Sequence, residues 1–263
     1  MGLFTLNAKH YFKRTFSDLV AVGMMFGLPM ALIVMNSAFG EPAIINGYNI
    51  EASSTSPFFL LVFQFFGGTM VIYYLYEDFK TDMRWRLYAA PCTQRGFLLS
   101  VIIINWMLTM LMGAAIVIVS AVSLDTYWGN PWVLIGTLLQ ISLMGVLICV
   151  ILFLFVKKKA VAIGVLYVFA FGTMIITNLT FILDYNVLGD GFLNTFLFHY
   201  NSPTTIGLRA IVYSGTMDEF IFGGRFVGEM SDAVLNLELL AGINMVLLII
   251  IAIAGRRRGS DNF

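Results

Sequence analysis

Residues 132–183 read WVLIGTLLQISLMGVLICVILFLFVKKKAVAIGVLYVFAFGTMIITNLTFIL. Two uncharged apolar runs, 132–156 and 160–183, are separated only by Lys157, Lys158 and Lys159. A helix needs about 20 predominantly apolar residues to cross a hydrocarbon core of about 30 Å. Each run meets that length, so the stretch reads as two membrane spans joined by a very tight basic turn. Lys and Arg beside span ends resist translocation, which puts this turn in the cytoplasm.

Four further apolar runs, 19–39, 57–76, 97–122 and 234–254, extend the pattern in both directions. The polar stretches between them alternate in charge. Of the 15 Lys and Arg residues, 13 fall in every second stretch: Lys9, Lys13, Arg14; Lys80, Arg84, Arg86, Arg95; the three lysines above; and Arg256, Arg257, Arg258. The intervening stretches hold only Arg209 and Arg225, and are rich in acids such as Glu41, Glu51, Asp125, Asp184 and Asp190. The expected fold is an all-α polytopic protein of six transmembrane helices in the cell membrane, with both termini cytoplasmic.

Composition agrees. The 263 residues are 59% hydrophobic and 11% charged, against about 25% charged in an ordinary soluble domain. The formal net charge is zero, but the charges are segregated by side. Acidic outer loops argue against nucleic acid as a partner, and the basic inner ones suit anionic lipid headgroups or a cytoplasmic protein. Cys92 and Cys149 fall in a cytoplasmic loop and a span, so both read as free thiols. The first run is longer than the apolar core of a signal peptide, so it is expected to be a retained span. Residues 1–17 mix Leu3, Phe4, Leu6, Tyr11, Phe12 and Phe16 with Lys9, His10, Lys13 and Arg14. That pattern predicts an amphipathic helix on the inner membrane surface.

Two connections exceed simple turns. Residues 77–95 are cytoplasmic on this topology. Residues 184–233 are external and carry apolar segments, including Phe192, Leu193, Phe196, Leu197, Ile206, Leu208, Ile211 and Val212. Apolar segments too short to span suggest re-entrant or interfacial helices. Backbone at membrane depth must then be buried in protein or line a wet cavity.

Catalytic chemistry is poorly supplied. Only His10 and His199 are present, there is no H-E-x-x-H and no G-x-S-x-G, and the absence of any Gly-Lys dipeptide rules out a P-loop. The Gly67-Gly68 pair lacks a phosphate-binding context. No cofactor or metal is expected on this chain. Charged residues are nearly absent within the runs; Asp18 and Glu238 lie near span ends. Ion-coupled carriers usually keep an ionisable residue in the membrane. The polar residues inside the runs are Gln64, Thr69, Asn105, Gln140, Thr177, Asn178 and Asn244. They support two readings: hydrogen bonds between helices, or a passage for an amphipathic substrate, for which Gln64, Phe65, Thr69, Thr177 and Asn178 are the candidates. Gly23 and Gly27 form a G-x-x-x-G that permits close helix approach.

The large connections carry a resemblance. Residues 77–91 read EDFKTDMRWRLYAAP, followed by Thr93-Gln94-Arg95. An acidic start, a short helix with apolar residues and a following proline resemble the cytoplasmic coupling loop of type-2 ABC exporter permeases. Asn201-Ser202-Pro203, then Arg209 six residues after the proline and Gly215 beyond it, resemble that family's external re-entrant hairpin between spans five and six. The chain departs from a Glu-x-Glu-x-Gly start common in the family.

The resemblance implies a transport subunit without its own ATPase site. Two copies, as a homodimer or with a related chain, would pair in the bilayer. Two separate ABC ATPase subunits, which hold the ATP and Mg, would dock on the cytoplasmic loops. Glu77 and Asp78 would orient the coupling loop by pairing with basic groups. Arg84, Trp85, Arg86, Leu87 and Pro91 would form the docked helix, with Trp85 and Leu87 as apolar anchors. Asn201, Pro203, Arg209 and Gly215 would form the external motif. The expected activity is ATP-driven efflux of an amphipathic or lipophilic compound such as a drug, an antimicrobial peptide or a lipid-linked molecule. A non-transporting membrane receptor or scaffold and an ion-coupled secondary carrier are the alternatives. An intramembrane lipid enzyme would need a nucleophile and base that the sequence does not offer.

Overall fold

The computed structural model describes residues 3–39, 44–45, 47–80, 94–182, 200–215 and 229–258. Helix α1 is Leu3–Ser17, and after a corner at Asp18 comes α2, Leu19–Val22. A π-helical turn, Gly23–Gly27, leads into α3, Leu28–Phe39. Two-residue strands, β1 (Ile44–Ile45) and β2 (Tyr48–Asn49), pair antiparallel. The long helices follow: α4 (Ile50–Lys80), α5 (Gln94–Ser123), α6 (Pro131–Phe155) and α7 (Lys159–Ile182). The short α8 (Pro203–Tyr213) and the long α9 (Met230–Arg258) complete the described chain.

Among the described residues, five helical stretches are long and apolar enough to cross a membrane: Ala52–Lys80, Gly96–Ser123, Pro131–Phe155, Lys159–Thr177 and Met230–Gly255. They match five of the six expected runs, and by length and composition they fit an all-α polytopic membrane protein. The run 19–39, expected as the first span, is helical but irregular, and its apolar stretch Gly23–Phe39 is shorter than the other five. Leu28 N–H bonds to the Gly23 carbonyl, five residues back. Pro29 has no N–H to offer Met25. Two glycines and the proline together let the hydrogen-bond ladder shift register here.

The helices begin where their sequences allow it. Asn130 caps α6 by accepting from Trp132 N–H at 2.9 Å, with Pro131 at the first helical position. Ser202 and Pro203 repeat the arrangement at α8, Ser202 accepting from Thr205 N–H at 3.1 Å. Val156 is extended and ends α6, leaving only Val156, Lys157 and Lys158 before α7. The two short strands and the first two turns of α4 lie between the runs 19–39 and 57–76, so Pro57 sits inside α4, two turns from its start.

Helix α4 is the hub, packing against α3, α5, α6, α7 and α8. Its closest approach is to α6, where small residues meet. A Cβ on Gly68 would lie 2.5 Å from Cys149 Sγ and 2.9 Å from the Gly145 carbonyl oxygen. Gly67 and Gly68 therefore serve helix packing. Among the described residues, nothing lies within 4 Å of where a side chain on Gly23 or Gly27 would begin.

The core falls into two clusters. One holds Trp128, Leu134, Ile141 and the α8 residues Ile206, Leu208, Ile211 and Tyr213. The other holds Tyr11, Tyr74, Leu75, Phe97, Val150 and Phe153. They mark opposite ends of α4, a helix about 46 Å long at 1.5 Å per residue. By contrast, α7 and α9 bury only a narrow side and expose Val168, Phe171, Ile175, Met245, Val246 and Ile249.

Candidate functional site

At one end of the bundle, two helices, α1 and α7, converge on the end of α4. Arg14 of α1 pairs with Glu77 and reaches Asp78 Oδ1 at 3.5 Å. Tyr11 donates its hydroxyl to Asp78 Oδ2 at 2.6 Å. Lys159, opening α7, lies 3.8 Å from Glu77 Oε1. Thr15 and Tyr74 share a buried hydroxyl hydrogen bond of 2.8 Å, and the Arg14 guanidinium stands 4.3 Å from the Tyr74 ring centre. The Tyr11 ring packs on Tyr74 and Phe97. Burial, then the negative charge of Asp78 and the bond to it, push the Tyr11 hydroxyl well above the usual tyrosine range. It stays a neutral donor to Asp78.

The same end of α4 is fastened to the α6–α7 turn. Tyr76 donates to the Val156 carbonyl at 2.6 Å and Lys80 donates to it at 2.9 Å. The Lys80 ammonium stands 4.1 Å from the Tyr76 ring centre. Basic residues that are far apart in sequence, Arg14, Lys80 and Lys159, thus gather where residues 77–95 begin. Arg84, Trp85, Arg86, Leu87 and Pro91 lie outside the described residues.

At the other end, α8 is an almost fully buried helix held among α4, α6, α7 and α9. Asn201 and Pro203 are half-buried at its start. Ser202, Thr205 and Thr177 of α7 form a ring of hydroxyls at 2.8–3.1 Å. Arg209 is 1% exposed and donates through Nη1 to the Tyr213 hydroxyl at 2.7 Å. Burial pulls its guanidinium down from its ordinary value, and Tyr213 opposes that shift. The end of α8 is tied to the α5–α6 connection: Ser214 accepts from Asn130 N–H at 3.1 Å. Gly215 leaves room for Tyr127, whose ring a Cβ would meet at 2.9 Å. Gly129, at φ +69°, comes equally close to Ser214.

The candidate passage residues do not form one patch. Gln64 is buried and accepts from Ser142 at 2.9 Å, joining α4 to α6. Its amide nitrogen fills the space that a side chain on Gly113 would need. Phe65 is buried edge-on against Phe169 at 5.3 Å. Thr69 has a buried hydroxyl with no partner among the described residues. Thr177 belongs to the α8 hydroxyl ring. Asn178 lies on α7, but its side chain is outside the described residues. Asn244 donates to the Gln140 side chain at 2.7 Å and so joins α9 to α6. For Gln64, Gln140, Thr177 and Asn244 the observed contacts are hydrogen bonds between elements.

Sequence reasoning overlooked Tyr11, Arg14 and Thr15 as partners of α4, because nothing local links them to residues 60 positions away. Ser202 and Thr205 had a usable signal, a serine before a proline at a helix start. No protein-family profile matches the chain, no curated protein matches it, and no solved structure matches it.

Proposed function

We propose that this chain is the transmembrane subunit of an ATP-driven exporter, of the type-2 ABC permease kind that its two large connections resemble. In this reading 19–39 supplies a sixth span, 184–233 is the external re-entrant region, and both termini are cytoplasmic. Two such chains pair in the membrane. Two ATPase subunits, carrying ATP and Mg, dock on residues 77–95. The cargo is amphipathic or lipophilic, because the apolar helices offer aromatic and neutral polar groups and almost no charge.

One observation carries the reading: the three-way clasp on Glu77 and Asp78. The residues that open the proposed coupling loop are held by α1 through Arg14 and Tyr11, and by α7 through Lys159. A displacement delivered to the loop would thereby reach three helices as one body, which is what rigid-body switching between inward-open and outward-open states needs. The buried α8, pinned at both ends, supports a rigid cap at the opposite side.

The test is purification of the tagged chain in mild detergent with identification of what accompanies it. A stoichiometric P-loop ATPase is expected, and Trp85→Asp with Leu87→Asp should release it while the chain still inserts. A chain that comes alone even after gentle crosslinking would overturn the reading in favour of a scaffold. Transport that persists without any ATPase and collapses with an ion gradient would do so in favour of a carrier.

A further inference from the structure

We propose that the outward face of α1 is a binding surface for anionic phospholipid headgroups. At 3.6 residues per turn, Lys9, Phe12, Lys13 and Phe16 fall within roughly 100° of one another. Phe12 is 50% and Phe16 40% exposed, and their rings lie tilted against each other with centres 4.5 Å apart. Lys9 and Lys13 are exposed beside them. The opposite side of the helix, Tyr11, Arg14 and Thr15, is already engaged with α4. The helix therefore has one face committed to the bundle and a second, aromatic and basic, that no described part of the chain covers.

Placement selects lipid as the occupant. Tyr11 packs on Tyr74, near the end of the apolar stretch Ala52–Lys80, and on Phe97, at the start of Gly96–Ser123. Helix α1 thus lies beside the ends of two membrane-length helices, at the depth of headgroups. Adjoining phenylalanines suit the acyl boundary, and lysine stems can run along it while their ammonium groups meet phosphate. Two lysines with no acid on that face favour a negative headgroup over a zwitterionic one. The ladder to Asp78 on the other side means that a lipid held here touches the same helix that clasps the start of 77–95.

The experiment places the full chain in nanodiscs of equal phosphatidylglycerol and phosphatidylcholine and counts retained lipids by native mass spectrometry. The unaltered chain should retain phosphatidylglycerol preferentially. Lys9→Gln with Lys13→Gln should lower that preference on the order of tenfold, whereas Lys157→Gln with Lys158→Gln should leave most of it. Phe12→Ser with Phe16→Ser should reduce retention of both lipids. Equal retention by the unaltered chain, or a preference that survives loss of Lys9 and Lys13, overturns the proposal. The readout involves no ATPase, so its failure and that of the exporter reading are separate results.

Discussion

Tyr11 and Asp78, 67 positions apart, are joined by a 2.6 Å hydrogen bond from the phenol to the carboxylate. The bond fixes α1 to the last turn of α4. A hydrogen bond to a charged group contributes about 1.5–3 kcal/mol. Tyr11→Phe keeps the packing on Tyr74 and Phe97 and removes only this bond. It should lower the apparent unfolding temperature in detergent by a few degrees. An unchanged transition would mean that Asp78 is held well enough by Arg14 alone. The sign with pH follows from the raised Tyr11 value. The folded chain keeps this proton where the unfolded chain, with the ordinary tyrosine value of 10.0, gives it up. The contribution is therefore complete below that value and declines above it, so Tyr11→Phe should flatten part of the alkaline loss of stability.

The two glycine classes on the long helices predict opposite outcomes. Gly68→Ala forces a methyl group into a backbone carbonyl at 2.9 Å, and α4 and α6 must separate. Overpacking of this kind costs about 1–3 kcal/mol. Gly164 is exposed on α7 with nothing within 4 Å. Gly164→Ala should be neutral or stabilising by up to about 1 kcal/mol, from helix propensity alone. Thermal unfolding of the two variants side by side checks the α4–α6 crossing, and equal effects would contradict it.

Most of the helical layout was legible because it follows from one physical demand. Backbone polar groups in lipid must be satisfied within a helix, so apolar length reports spans directly. The runs at 97–122, 132–156 and 160–183 come within three residues of the helices found. The irregular first run was not legible, because hydropathy is blind to the register of hydrogen bonds around Gly23 and Pro29. Glu77 and Asp78 were named from the sequence through the loop motif they open. Their partners were not, since Arg14, Tyr11 and Lys159 reach them only through tertiary packing. Gln64 shows the remaining ambiguity: a neutral amide among phenylalanines reads alike as a pore residue or as a pin between helices.

That pin is measurable. The Ser142 hydroxyl has one hydrogen, yet both Gln64 Oε1 at 2.9 Å and the Leu138 carbonyl at 2.5 Å are within its reach. Sharing weakens each bond. A double-mutant cycle of Gln64→Leu and Ser142→Ala should give a coupling of about 0.6 kcal/mol, the low value usual between membrane helices. A coupling well above this would mean that Gln64 is the preferred acceptor and that the Leu138 contact is incidental.

Arg209 gives the sharpest separation of roles. It is buried at the end of the bundle opposite Glu77, on a helix tied to α7 by hydroxyls and to the α5–α6 connection by Ser214. Arg209→Lys keeps the charge but loses the planar fork that meets Tyr213, so it should not behave conservatively. Tyr213→Phe leaves a buried guanidinium short of its 2.7 Å acceptor and should destabilise by about 1–3 kcal/mol. If the chain works as proposed, both variants should depress transport measured in vesicles while co-purification of the ATPase stays normal, because the loop that would bind it begins at the far end of α4. Loss of ATPase binding in an Arg209 variant that still folds would place α8 on the same side as residues 77–95 and overturn the two-ended arrangement on which the proposed mechanism depends.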